Sequence, residues 1–241
     1  VTSVRICCAG WAVPPHHRDL FPVSGSHLAR YATLFDAVEI NTSFYRPHRR
    51  ATYERWAETV PPGFRFAVKV PQAWTHVARL AVEARDMADF VAAVDGLGEK
   101  RGPLLVQLPP SLSFEDALAA EFFAKFRTII AGPIVCEPRH ASWFTSEAAA
   151  LLARHHVARV MADPLPVPEA AQPGGWDGFV YRRLHGSPEI YYSAYGEEYL
   201  GNLARQIRET PVAQWCVFDN TARGAAAANA LSLVGLLRDG G

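Results

Sequence analysis

Short runs of β-branched and aromatic residues alternate along the chain with longer stretches whose apolar positions recur every three to four residues, the rhythm of βα units. The pattern predicts strands at 5–8, 37–40, 64–70, 104–108, 134–137, 158–161, 179–184 and 215–218. Between and after them it predicts helices at 27–35, 52–59, 84–94, 115–126, 146–154, 197–208 and 223–237. Eight strands thus meet seven helices. The missing helix falls after the sixth strand, where Asp163-Pro164-Leu165-Pro166-Val167-Pro168 removes backbone donors and restricts the residue before each proline. An irregular loop is expected there. Ser113, with Asp116 three positions on, marks a helix start, and Gly96 and Gly98 mark a helix stop. The expected fold is α/β: a TIM-like (β/α)8 barrel formed by residues 1–241 as a single domain, with an irregular loop replacing the helix after strand six. A doubly wound nucleotide-binding sheet is disfavoured, because the first strand runs into Ala9-Gly10-Trp11-Ala12-Val13-Pro14 rather than GxGxxG.

Composition agrees with a packed core. Hydrophobic residues are 49% and charged residues 20% of the chain, which excludes disorder. Lys plus Arg and Asp plus Glu are 24 each, so there is no overall attraction to polyanions and only a local basic cleft could supply one. Cys7, Cys8, Cys136 and Cys216 all fall in apolar runs without CxxC spacing and read as buried thiols. The apolar stretch 225–237 is interrupted by Asn229 and Ser232 and is shorter than the roughly 20 residues of a bilayer span. The start Val1-Thr2-Ser3 carries no secretory pattern, so the expected location is cytoplasmic, without a membrane partner.

In a parallel barrel, chemistry collects where the strands end. Glu39 and Asn41 follow the second strand on one side. Lys69 ends the third, with Trp74 and His76 in its loop; Gln107 ends the fourth; Glu137 and Arg139 lie two apart at the fifth. Asp163 follows the sixth, Arg182, Arg183 and His185 surround the end of the seventh, and Asp219-Asn220 follow the eighth. Ideal alternation puts Tyr181, Arg183 and His185 on one side and Arg182 on the other unless the strand bends. Charged groups at such positions are costly unless paired or wet, so the ring points to a ligand cleft, with a structural ion-pair network as the alternative. The expected catalytic residues are Glu39, Glu137 and His185; the expected ligand-binding residues are Asn41, Lys69, His76, Gln107, Arg139, Arg182 and Asn220. Lys69 could instead simply pair with Glu39 or Glu137. Trp11, Phe44, Tyr45, Trp74, Trp143 and Tyr195 are candidate walls of the cleft or ordinary core residues.

Several runs resemble a known family. Ala9-Gly10-Trp11, the segment Phe35-Asp36-Ala37-Val38-Glu39-Ile40-Asn41-Thr42-Ser43-Phe44-Tyr45, and Phe64-Arg65-Phe66-Ala67-Val68-Lys69-Val70 with Thr75-His76 are similar to signatures of the YecE-like proteins, domain of unknown function 72. So are the run from Gly102 to Pro110, Glu137-Pro138-Arg139 through Trp143, Tyr181-Arg182-Arg183-Leu184-His185-Gly186, and the tail from Val217 to Ala230. Members more commonly have paired asparagines where this chain has Asp219-Asn220, so a role that needs a neutral amide at 219 is not carried over. The resemblance implies a TIM-like barrel, distantly similar in architecture to sugar-isomerase and apurinic-endonuclease barrels. It implies no reaction and no cofactor. Glu39, Glu137, Asp163, Asp219 and His185 could in principle ligate a metal, but Lys69 and Arg139 compete for the acids, and no metal is assigned. The leading expectation is an enzyme, a hydrolase or lyase acting on a phosphate- or carboxylate-bearing small molecule. Alternatives are a nucleic-acid repair or binding protein and a noncatalytic adaptor whose polar cluster is structural.

Overall fold

The computed structural model describes residues 3–239, so residues 1, 2, 240 and 241 of the expected domain lie outside the described residues. The chain folds as β1 (Val4–Cys8), α1 (His27–Tyr31), β2 (Ala37–Ile40), α2 (Thr42–Tyr45), α3 (Arg50–Thr59), β3 (Arg65–Lys69), α4 (Ala84–Val94), β4 (Arg101–Gln107) and α5 (Asp116–Ile129). It continues as β5 (Ile134–Glu137), α6 (Ser146–Arg154), β6 (Val157–Arg159), β7 (Met161–Asp163), β8 (Gly174–Gly175), β9 (Phe179–Leu184), α7 (Glu197–Glu209), β10 (Ala213–Phe218) and α8 (Ala225–Asp239). This is an α/β fold.

The strands form a four-stranded sheet in the order β1-β10-β9-β7 and a six-stranded sheet in the order β2-β3-β4-β5-β6-β8. All pairings are parallel except that of the two-residue β8 with β6. At one junction of the sheets Ala9 bridges Glu39 in parallel. At the other, β6 and β7 are separated only by Val160, whose N–H donates to Cys136 O at 2.8 Å.

The expected sixth strand is therefore two short strands, and the proline-rich loop after it holds a 3₁₀ turn at Pro168–Ala171 and β8. Arg159 keeps that loop in place by donating to Gln172 O at 3.1 Å and Glu169 O at 3.4 Å. A Cβ at Gly174 would come within 2.5 Å of the Arg159 guanidinium and would push that side chain out of its place against the loop. Ser113 does not cap a helix: Ser142 Oγ accepts from Phe114 N at 2.7 Å, the chain stays extended through Glu115, and α5 starts at Asp116. The first expected helix ends early, at Tyr31, and its N-cap is Ser26, whose side chain accepts from Ala29 N. All four cysteines are buried and free. Among the described residues no helix is long and apolar enough to cross a membrane.

Strand alternation divides the core in two. One face of the strands packs under the helices with residues such as Ile6, Val38, Phe66, Val106 and Phe218. The other gathers Cys7, Ala37, Ala67, Leu105, Val135, Tyr181 and Val217 into a second apolar cluster. Two residues on from members of this second set stand Glu39, Lys69, Gln107, Glu137, Arg183 and Asp219. The same parity that builds the inner cluster thus delivers the charged groups together at the strand ends.

Candidate functional site

Arg183 is the centre of the site. Its side chain is fully buried, a position a guanidinium tolerates only when its donors meet acceptors. Nε donates to Glu39 Oε2 at 3.1 Å, Nη2 to Glu39 Oε1 at 2.7 Å and to Asp219 Oδ2 at 2.9 Å, and Nη1 to Glu137 Oε2 at 2.7 Å. The Tyr181 hydroxyl donates to Glu39 Oε2 at 2.8 Å. Three carboxylates from β2, β5 and the end of β10 therefore converge on one residue of β9.

His185 closes the cluster. Nδ1 lies 3.0 Å from Asp219 Oδ2 and Nε2 lies 2.8 Å from Glu137 Oε1. Burial alone would favour neutral imidazole, but Glu137 and Asp219 on its two nitrogens outweigh it and raise its pKa. With both nitrogens facing carboxylates, the imidazolium satisfies both as a donor. Burial likewise works against the charged carboxylates, yet Arg183, His185 and Arg139 hold Glu137 well below the usual carboxylate range. Asp219 is lowered in the same way by Arg183 and His185 against burial. After β9, Gly186 adopts φ 98°, and a Cβ there would meet Ser193 O at 2.9 Å, so this turn beside His185 needs glycine. The following loop returns with Tyr191 edge-on to the His185 ring at 5.9 Å between centroids.

Two more cations stand over the cluster. Arg139, whose side chain is 20% exposed, donates to Glu137 Oε1 from Nε at 3.0 Å and from Nη2 at 2.6 Å, and Nη2 lies 3.1 Å from His185 Nε2. Lys69 is 6% exposed and lies 4.0 Å over the centre of the Phe44 ring. Its ammonium has no hydrogen-bond or ion-pair partner among the described residues, so the expected simple pairing with Glu39 or Glu137 does not form. Burial and the neighbouring Arg183 lower the Lys69 pKa to about 8 despite the acids nearby. The backbone below it is fixed by Ser43 Oγ, which donates to Lys69 O at 2.6 Å. His76 packs edge-on to Phe44 at 5.1 Å, exposed, and its pKa is lowered by burial, Lys69 and Arg139. Asn41 Nδ2 reaches Asp219 Oδ1 at 3.4 Å, while its Oδ1 is buried without a partner.

The structure thus brings together Glu39, Glu137, His185, Asn41, Lys69, His76 and Arg139. Gln107, half-buried, is paired in register with Glu137 on the neighbouring strand. Two expected ligand-binding residues sit elsewhere. Arg182 points to the opposite face of β9, where Nη1 donates to Gln214 Oε1 at 2.5 Å, because the strand runs without the bend that would have brought both arginines inward. Asn220 is buried and braces the Tyr191 loop, donating to Ser193 O and Asn229 Oδ1, each at 3.0 Å. Trp74 and Trp143 belong to the core rather than to a cleft wall. Arg183 has a larger part in the site than the expected set of residues gives it, and its signal in the sequence is the spacing Tyr181, Arg183, His185. Among the described residues no group of three or more His, Cys, Asp or Glu is arranged to hold a metal ion.

The family model described as a protein of unknown function, DUF72, matches residues 5–240. The chain belongs to the DUF72 family. The UPF0759 protein YecE of Escherichia coli strain K12 is 30% identical over 104 residues, 39% of this chain and 38% of YecE, so the match spans well under half of that relative. A DUF72 family protein from Thermotoga maritima superposes with a TM-score of 0.80 at 26% identity, covering 98% of this chain and 99% of that one. One from Enterococcus faecalis reaches 0.81 at 22% identity over 98% and 95%. A methyltransferase from Methanosarcina mazei shares the fold at a TM-score of 0.60 and 10% identity over 99% and 94%. In this DUF72 chain the acid at 219 is used as an acid: Oδ2 takes Arg183 and His185 together, a pairing that a neutral amide would weaken.

Proposed function

We propose that the strand ends form the anion-binding active site of an enzyme, a hydrolase or lyase acting on a phosphate- or carboxylate-bearing small molecule. The observation that carries this reading is a surplus of one cation: Lys69 has no bonded acid, while the partly exposed Arg139 shares Glu137 with Arg183 and His185. Arg183, His185 and Arg139 together balance the three acids, so the Lys69 ammonium is the net positive charge, and with the partly exposed Arg139 guanidinium beside the cluster it suits a multi-oxygen anion. In this reading Arg139 and Lys69 bind the anion, with Asn41, His76 and Gln107 around them. His185 carries the exchangeable proton on Nε2, which is released toward the ligand when Arg139 turns from Glu137 to the anion, while Asp219 holds Nδ1. Glu39, whose two oxygens are taken by Arg183 and Tyr181, holds Arg183 and does not touch the ligand. We further infer that the two sheets complete one ring of eight parallel strands, supported by the Ala9 to Glu39 bridge and by the continuity of β6 into β7, within a single domain.

The test is thermal stabilisation by a panel of phosphorylated and carboxylated metabolites, followed by assay of the stabilising compounds for bond cleavage. A ligand at about 100 times its Kd should add about 2.7 kcal/mol to the unfolding free energy. Arg139→Ala and Lys69→Ala should each remove most of that gain. A panel that leaves the melting temperature unmoved, or stabilisation that both variants retain, overturns the reading.

A further inference from the structure

The opposite face of β9 carries a second site. With no helix after β7, the outer surface of β7 and β9 is left open between the proline-rich loop and α7, and a cleft of about 630 Å³ fills that gap. A smaller hollow of about 150 Å³ continues from it, sharing Met161, Ala171, Arg182 and Gln206. The combined space lies within the roughly 300–1,000 Å³ of small-molecule sites. Its walls are largely apolar, from Met161, Ala171, Phe179, Val180 and Val212.

Arg182 is the cation of this cleft. The residue is 5% exposed, yet no carboxylate lies within ion-pair distance among the described residues. Of its five N–H donors, one meets Gln214 Oε1 at 2.5 Å, another makes a long 3.3 Å bond to Thr210 Oγ1, and Nε is buried with no partner at all. A buried cation without a counter-ion is costly and is usual only where an anion completes it. Its neighbour Arg183 shows the contrast, being surrounded by three carboxylates. The exposed carboxylates of Asp177 and Glu209 also line the cleft and oppose a multiply charged ligand, whereas one carboxylate can meet one guanidinium in two-pronged geometry. Apolar walls require an apolar body behind it.

We propose that the cleft between the proline-rich loop and α7 binds an amphiphilic monocarboxylate, its carboxylate on Arg182 and its hydrocarbon along Met161, Phe179 and Val180. This site lies across the strand from the Arg183 cluster and does not depend on the function proposed for it.

Octanoate is the probe, titrated by calorimetry against the whole protein, with 1-octanol and inorganic phosphate as comparisons. Saturable binding of octanoate with a Kd of about 1 mM or tighter is expected, with 1-octanol and phosphate each at least about tenfold weaker. Arg182→Gln should weaken octanoate about tenfold or more. The titrations are made in an Arg139→Ala, Lys69→Ala background, so that only this cleft can take the carboxylate, and there Gln206→Trp, at an exposed position of α7 that lines the cleft, should abolish binding. Should Arg182→Gln fail to fold, Gln206→Trp decides alone. Absence of saturable octanoate binding, phosphate binding as tightly as octanoate, or binding that survives Gln206→Trp overturns the proposal.

Discussion

Replacing Arg183 with methionine removes the cation on which Glu39, Glu137 and Asp219 converge while keeping much of the side chain's length. Hydrogen bonds at 2.7, 2.7, 2.9 and 3.1 Å are lost together. Each such charged bond would be worth about 1.5–3 kcal/mol in isolation, but they share one donor group and do not add. The governing quantity is the cost of leaving buried charge without its partner, about 3–5 kcal/mol. His185 and Arg139 would then face three acids, and Glu39 would keep only the Tyr181 hydroxyl. The pH dependence follows from the shifts of Glu137 and Asp219. Burial pushes both up, and Arg183 is the leading charge that brings them below normal. In the parent protein these depressed values contribute stability above the unfolded carboxylate pKa of about 4, which is lost as pH falls through the lower folded values. In the variant the desolvation is opposed only by His185, Arg139 and Lys69, the folded acids take up protons more readily, and the penalty relaxes on acidification. Urea unfolding followed by tryptophan fluorescence should therefore show a loss of about 3–5 kcal/mol near pH 8, shrinking toward about pH 5. A loss under about 1 kcal/mol near neutrality, or one constant across that range, would refute the account of a charge cluster held by Arg183.

Lys69→Met should stabilise the protein by about 1–3 kcal/mol near pH 7, because the parent carries a desolvated ammonium whose pKa has fallen from 10.5 to about 8. That gain should fade between about pH 8 and 10.5, where the folded parent sheds the proton that the unfolded chain still holds, and urea unfolding over that range checks it. His185→Gln should cost most below the unfolded histidine pKa of about 6.5, where the raised folded pKa contributes in full, and the cost should fade as pH rises through the folded value. Nitrogen NMR of the parent should show both His185 ring nitrogens protonated at neutral pH; a neutral ring there would contradict the bridging of Glu137 and Asp219.

Much of this site was legible because strand alternation is strict. Glu39, Lys69, Glu137 and His185 could each be placed at a strand end from local pattern, and the structure brings them to one place. The proline run likewise announced the gap in the helices. What local pattern could not supply was pairing across more than a hundred residues. Whether Lys69 would take Glu39 as its partner depended on Arg183 reaching Glu39 first, over a separation of 144 residues. Helix starts were largely legible, at His27, Ala84, Ser146 and Glu197, and the start after Ser113 falls one residue later than expected, at Asp116 with Glu115 as its N-cap.

The pair Arg182 and Arg183 compresses the argument into two adjacent residues. A β-strand sends neighbouring side chains to opposite faces, so two identical cations on β9 meet opposite environments without any difference in local sequence. Parity alone decides that Arg183 enters the space where Glu39, Glu137 and Asp219 converge, and that Arg182 enters an apolar cleft with Gln214 as its nearest strong acceptor. Register is thereby guarded from both sides. A one-residue slip of β9 that brings Leu184 to the place of Arg183 would set it against three buried carboxylates, and the opposite slip, which brings Arg182 there, would turn Tyr181 and its hydroxyl away from Glu39. A cluster that costs desolvation to build therefore also fixes which of two arginines faces the acids, and the functional readings of both faces rest on that same strand register.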